Sequence, residues 1–371
     1  MGWAALSELV PLYPLYALLF LDTGVSGAEL SLLFGLWSVT GLLAEVPAGV
    51  LADRWSRRGV LALSGVLQAA AFVLWTAAPS LASFAAGFVV WGLGGACSSG
   101  TAEALVHDAL ADVGAAECFP RVNGAMTAAE LLVQVPTALA ATALHAVGGY
   151  PLVGWASVAV CLAAAALALR LPDPRPGADE DVAGSVRAGL VQALRRPALL
   201  VAVVAVALVG GLDGMEEYFP VVAADLGVPV GAVPVVVLAA SLAGAAGATL
   251  GGRLVRPPAR ILAAVLLAAG AGLLLVPVVT PPVALAALAV AYGLYLAVLV
   301  AAEAELQRRI TGPYRATVTS VAGLGVELSA LLVFAAWALG GVAAVGLLVL
   351  AVAPVAAAGL STRGPSRRNC G

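Results

Sequence analysis

The sequence predicts an all-α membrane protein of twelve transmembrane helices, arranged as two six-helix halves with internal repeats. Three observations carry this. The chain is 62% hydrophobic and only 11% charged, where a soluble domain carries about 25% charged residues. Apolar runs of about 20 residues, the length needed to cross a bilayer, recur along all 371 residues with short connections between them. All eighteen basic residues are arginine, and they fall on one side of the resulting map. The alternating polarity of barrel strands is absent, which leaves helices as the spanning structure.

In order, the spans are expected at about 3–21, 29–52, 59–77, 81–106, 121–145, 152–170, 197–219, 229–251, 259–277, 282–306, 315–339 and 341–360. The arginines occupy the turns after spans two, four, six, eight and ten and the C-terminal tail. The opposite loops, at residues 22–28, 78–80, 148–151, 220–228 and 278–281, hold none. The positive-inside rule places both termini in the cytoplasm, in a multi-pass protein of the plasma membrane. Met1 leads into the first span with no basic leader and no cleavage site. Residues 171–196 interrupt the pattern with three prolines and four acids, then an amphipathic basic piece. This is the expected cytoplasmic linker between a bundle at 1–170 and a second at 197–371, which ends in a short basic tail.

Small residues recur at packing spacing: Gly92, Ala96 and Gly100 in span four, Gly247 and Gly251 in span eight. Cys97, Cys118, Cys161 and Cys370 have no metal-ligand spacing, and no disulfide is expected. Trp3, Trp37, Trp75, Trp91, Trp155 and Trp337 read by default as interface anchors; Trp91, Tyr292 and Tyr295 are the aromatics that could instead stack on a substrate.

The turn at residues 49–61 holds Gly49, Leu51, Asp53, Arg54, Arg57, Arg58 and Leu61 between two spans. So compact a charged turn suits a latch between helices better than a catalytic loop. It resembles the loop signature that joins helices two and three of the major facilitator superfamily, with Ser56 where that family usually has glycine. A fainter echo, Gly251 to Leu262, follows span eight without the acid. Glu45, Pro47 and Gly49, and the run Ser99 to Leu105 followed by Asp108, resemble a branch of bacterial facilitators with E-x-P-x-G and S-G-x-x-E-A-L stretches. The run Arg315 to Ser320 resembles another stretch common in the superfamily. The Gly-Pro cluster of drug antiporters is not matched, since Pro136 stands alone in span five. The resemblance implies the major facilitator fold, alternating access and a substrate site between repeats near the midplane. It also implies that Asp53 caps a helix of the other half and locks the inside closed.

A charge inside a span costs at least about 2.5–3.5 kcal/mol, so each must face a partner or a wet cavity. Glu45, Glu103, Asp108, Glu303 and Glu305 lie near the cytoplasmic ends, within reach of Arg54, Arg57, Arg58 or Arg121, and read as a latch of ion pairs. Glu8 reads as a solvated helix end. Thr127, Glu130, Gln134, Thr137 and His145 fall in an arc of roughly 80° on span five. That stripe reads equally as an interhelical seam or a substrate lining. Asp213, Glu216 and Glu217 crowd like charges into one turn of span seven, so one should hold its proton near neutral pH; alternatively they sit in water at the outer mouth. Glu327 is the deep acid of span eleven. Glu130, Gln134, Asp213, Glu217 and Glu327 are therefore the candidates for proton coupling or substrate contact, with Glu130 foremost.

No phosphate loop, nucleophile–base set or metal cluster is present, which argues against an enzyme and calls for no cofactor, metal or nucleic-acid partner. The expected function is secondary transport of small molecules by a monomer, with protons and the lipid bilayer as the other partners. An acid-rich, base-poor interior favours proton-coupled efflux of cationic or neutral amphiphiles. The alternatives are an uptake symporter or facilitator for a small nutrient, and a non-transporting sensor or scaffold on the same fold.

Overall fold

The computed structural model describes residues 1–172, 197–253, 257–310 and 315–361. Most of the expected linker, part of the loop after span eight, and the tail with Cys370 lie outside the described residues. Every regular element described is helical. Nine of the described helical stretches are long and apolar enough to cross a membrane. Two of these, 116–168 and 318–360, each hold two helices joined at a non-helical glycine, and the first span is built from two shorter helices. Among the described residues the spans thus number the expected twelve.

The chain forms two compact units: Met1–Asp179 with Tyr218–Leu238, and Glu180–Glu217 with Ala239–Gly371. In the first, α1 (Gly2–Glu8) and α2 (Tyr16–Asp22) are separated at Pro11 and Pro14, because proline cannot extend the helical ladder. The Leu12 N–H freed by the break donates to Ser157 Oγ at 3.0 Å, so no backbone donor is left bare there. Helix α3 (Gly27–Arg54) begins with a capping box, in which Ser26 and Glu29 satisfy each other's backbone N–H. Helix α4 (Arg57–Ala77) is capped by Ser56 Oγ, which accepts from Gly59 N at 3.1 Å. A serine at the place of the usual glycine thus starts the next helix.

Span four is also broken. Helices α5 (Leu81–Ser98) and α6 (Thr101–Asp112) meet at Ser99 and Gly100, whose φ of 66° is open to glycine at little cost. Helix α7 (Phe119–Ala168) holds spans five and six, joined at Gly149 with φ 61°. The core between α2, α3, α4 and α5 is aromatic. Phe20 stacks on Phe84 with ring centroids 3.9 Å apart, and Trp75, fully buried, donates from Nε1 to Phe84 O. Trp91 is buried with Tyr13 stacked at 5.6 Å and Trp37 stacked at 5.1 Å. Trp75 and Trp91 are therefore core residues rather than interface anchors, and Trp91's ring is already engaged. Helix α9 (Phe219–Asp225) packs on α2 in this unit, and the Tyr218 hydroxyl lies 2.8 Å from Ser31 Oγ.

In the second unit, α8 (Pro197–Gly211) continues as a 3-10 stretch, Leu212–Tyr218, whose last residue passes into the first unit. The remaining helices are α10 (Val233–Arg253, in this unit from Ala239), α11 (Ala259–Leu275), α12 (Pro281–Arg309) and α13 (Arg315–Leu360). Small residues sit where helices cross, as their spacing predicts: a side chain on Gly247 would strike Gly293 O, and one on Gly251 would strike Ala297 O. Gly92 plays this part in the first unit, 3.0 Å from Trp37 O on α3 measured from where its Cβ would stand. Arg309 closes the C-terminal end of α13 by donating to Gly359 O at 2.6 Å and Ser361 O at 3.1 Å.

Candidate functional site

The end of α1 and the break in span four open onto one cavity inside the first unit, of about 280 Å³. Helix α1 contributes Trp3, Ser7 and Glu8, and α4 contributes Ser64 and Gln68. Ser99, Gly100 and Glu103 come from the break in span four, and Glu130 comes from α7. Non-helical backbone at membrane depth is tolerated where it lines a wet cavity, and this one is polar. Its lining holds three carboxylates and no arginine or histidine. None of the three carboxylates forms an ion pair or a side-chain hydrogen bond with another described residue. Glu130 feels the like charges of Glu8 and Glu103, and the amino group of Met1 acts on it from outside the lining. Gln68, by contrast, is fixed: its Nε2 donates to Tyr13 Oη at 3.2 Å and its Oε1 accepts from Cys161 Sγ. The cavity can therefore receive a positive group or protons against three free carboxylates.

At the arginine-bearing end of the same unit, Arg57 holds Asp108 in an ion pair, donates to Ala104 O at 3.3 Å, and lies 3.5 Å from Asp53. Its side chain is only 12% exposed against 52% for Asp53, so the pair with Asp108 is the sheltered part of the cluster. His107 lies 3.1 Å from the other Asp108 oxygen. Glu45 and Arg54 are exposed, and a side chain on Gly49 would meet nothing within 4 Å. Arg58 is partnered. Glu103, grouped by sequence with the latch, lines the cavity instead. In the second unit Glu305 pairs with Arg308 and Arg309 on its own helix, each at 2.8 Å.

A second polar cluster lies where span seven leaves the α-helix. Tyr292 Oη on α12 is 2.7 Å from Glu216 Oε2 and 3.2 Å from Asp213 Oδ1. Tyr295 donates to Gly210 O at 3.2 Å, a carbonyl at the junction of α-helix and 3-10 stretch. Three residues make one turn of a 3-10 helix, so side chains at i and i+3 eclipse; that brings Glu216, rather than Glu217, beside Asp213. Glu217 is half-buried and separately partnered. Gln134 and Glu327 are exposed on α7 and α13, and Glu303 is exposed on α12. Glu8 and Tyr292 are the site residues that periodicity did not single out. The prolines at 11 and 14, and the glycines at 210, 211 and 214, were the signals available for them.

A family model, the Major Facilitator Superfamily, matches residues 3–334. Among solved structures, the chain is similar to the nucleoside transporter NupG, with a TM-score of 0.74 at 12% identity, over 96% of this chain and 95% of that one. It is similar to a D-xylose-proton symporter, with a TM-score of 0.70 at 13% identity over 95% of each chain. It is also similar to a bacterial homolog of the human lysosomal transporter Spinster in an inward-facing, occupied conformation. There the TM-score is 0.68 at 16% identity, over 96% of this chain and 89% of that one. At such identities the likeness is one of fold. No curated protein matches the chain.

Proposed function

We propose, from the premise that this chain belongs to the Major Facilitator Superfamily, that this membrane transporter exports cationic or neutral amphiphiles in exchange for protons. The observation that supports it is the cavity of the first unit, with Glu8, Glu103 and Glu130 unpaired and no base in the lining. A charge held inside a span without a close partner is costly, and a bound cation or protons would each relieve it. Substrate and proton then compete for the same carboxylates, which is the logic of antiport. Arg57 with Asp108 and Asp53 serves as the latch at the cytoplasmic side. The protein works as a monomer in the plasma membrane with both termini inside, its two halves at 1–170 and 197–371 alternating in access.

The test uses a lipophilic cation, tetraphenylphosphonium, in inverted membrane vesicles with an imposed proton gradient. The expected result is accumulation that a protonophore collapses. Glu130→Gln should abolish accumulation while sparing exchange of the cation down its own gradient. Uptake symport would instead concentrate substrate in right-side-out vesicles, and unchanged accumulation by Glu130→Gln would remove that residue from the coupling. Orientation has its own test, in a background lacking the native cysteines. Ser56→Cys should be protected from an impermeant thiol reagent in whole cells and Ser80→Cys labelled; labelling of the first would invert the map.

A further inference from the structure

We propose that Asp213, Tyr292 and Glu216 together bind one exchangeable proton, at a site in the second unit separate from the cavity acids. A phenol carries a single hydrogen and two lone pairs, yet Tyr292 Oη is in hydrogen-bond range of two carboxyl groups, 2.7 Å from Glu216 and 3.2 Å from Asp213. The phenol can share its hydrogen between two carboxylates, but two like charges this close disfavour ionising both. The alternative has one carboxyl protonated and donating to the phenol oxygen, while the phenol donates to the other. The carboxylate is assigned to Glu216, the closer of the two, and the proton to Asp213. Uptake of the proton converts the Asp213 carboxylate to a carboxyl whose O–H donates to Tyr292 Oη. Release returns it to water and leaves the phenol a single acceptor. No other bond changes.

The surroundings favour a proton over a metal ion or an arginine partner. Tyr292 and Tyr295 are buried, while Asp213 is half-buried and Glu216 exposed, so the carboxyl side of the site is the open one. No described arginine pairs with Asp213 or Glu216, and no described group of acids, histidines and cysteines is arranged to hold a metal. The other titratable groups near the site are Glu217 on the same turn and Tyr295 and Glu303 on α12. From α13, Val326, Ser329 and Phe334 press against Gly210, Gly211 and Gly214, and its acid Glu327 is exposed; from α10, Gly244 meets Tyr292. The 3-10 stretch sharpens the site's geometry, because residues i and i+3 eclipse there, where an α-helix would offset them by about 60°.

The site's role in transport rests on the proton-coupled reading above, but its existence is tested without substrate or gradient. Purified full-length protein in lipid nanodiscs is titrated with pH, and the infrared C=O stretch of a protonated carboxylic acid is followed. Wild type should lose one such band as pH rises. Asp213→Asn and Glu216→Gln should each remove or shift it. Tyr292→Phe, which keeps both acids and the ring, should move its midpoint by about one pH unit or more, a tenfold change in proton affinity. Glu29→Gln, a surface cap in the first unit, should leave it unchanged. A band that titrates identically in all three site variants overturns the proposal, whatever the vesicle assay shows. Failure of export with the band sensitive to all three sinks the export reading alone.

Discussion

The acids of the first unit and those of the second differ less in number than in what holds them. Glu8, Glu103 and Glu130 surround open space with no hydrogen-bond partner on the lining. Asp213 and Glu216 are tied to one buried phenol at the end of a broken helix. Placing a charge in a membrane costs a few kcal/mol in either case, but the remedies differ. A carboxylate facing a cavity is relieved by whatever positive group enters. A carboxylate already meeting a phenol has one of its hydrogen-bond positions taken. On the proposed reading, free acids make a receptor and tethered acids a proton store.

The comparison breaks first at the cavity. Removing a charged contact costs about 1.5–3 kcal/mol, and each 1.4 kcal/mol is about tenfold in affinity. Glu8→Gln should therefore weaken binding of tetraphenylphosphonium about tenfold or more in a fluorescence titration, and Asp213→Asn by a smaller factor. If Asp213→Asn does the greater damage, the cation belongs to the second unit. A smaller effect sharpens the other side. Tyr292→Phe strips a buried hydroxyl from two carboxyl groups and should cost about 1–3 kcal/mol, read as a lowered thermal midpoint in detergent. Ser99→Ala, on the exposed cavity wall, should stay within about 0.5 kcal/mol. Equal midpoints for both variants would mean that Tyr292 holds nothing.

The spans and the signature turn were legible because hydropathy and charge sorting act over about 20 residues, the thickness of the bilayer. The breaks were not. Pro11 and Pro14 weigh little in such an average, so the first span read as one helix and Glu8 as its solvated end. In the structure α1 ends at Glu8 and turns it into the cavity. Span five shows the limit of a helical wheel. Glu130 and Gln134 share its polar arc, yet Glu130 lines the cavity and Gln134 is exposed, because the arc is wider than any one neighbour. Span seven shows a second limit: the sequence crowds Asp213, Glu216 and Glu217 into one turn, and the 3-10 stretch is what sets Glu216 beside Asp213.

The crossing of Gly247 on Gly293 has a meaning for the working cycle beyond packing. The acid and tyrosine contacts discussed above carry a proton, a charge or a hydroxyl, and so respond to pH or salt. This one is backbone against backbone and has nothing to titrate. Where α10 and α12 touch, the second unit has a crossing whose fit depends on volume alone, so any side chain added at Gly247 would part the two helices whatever the pH.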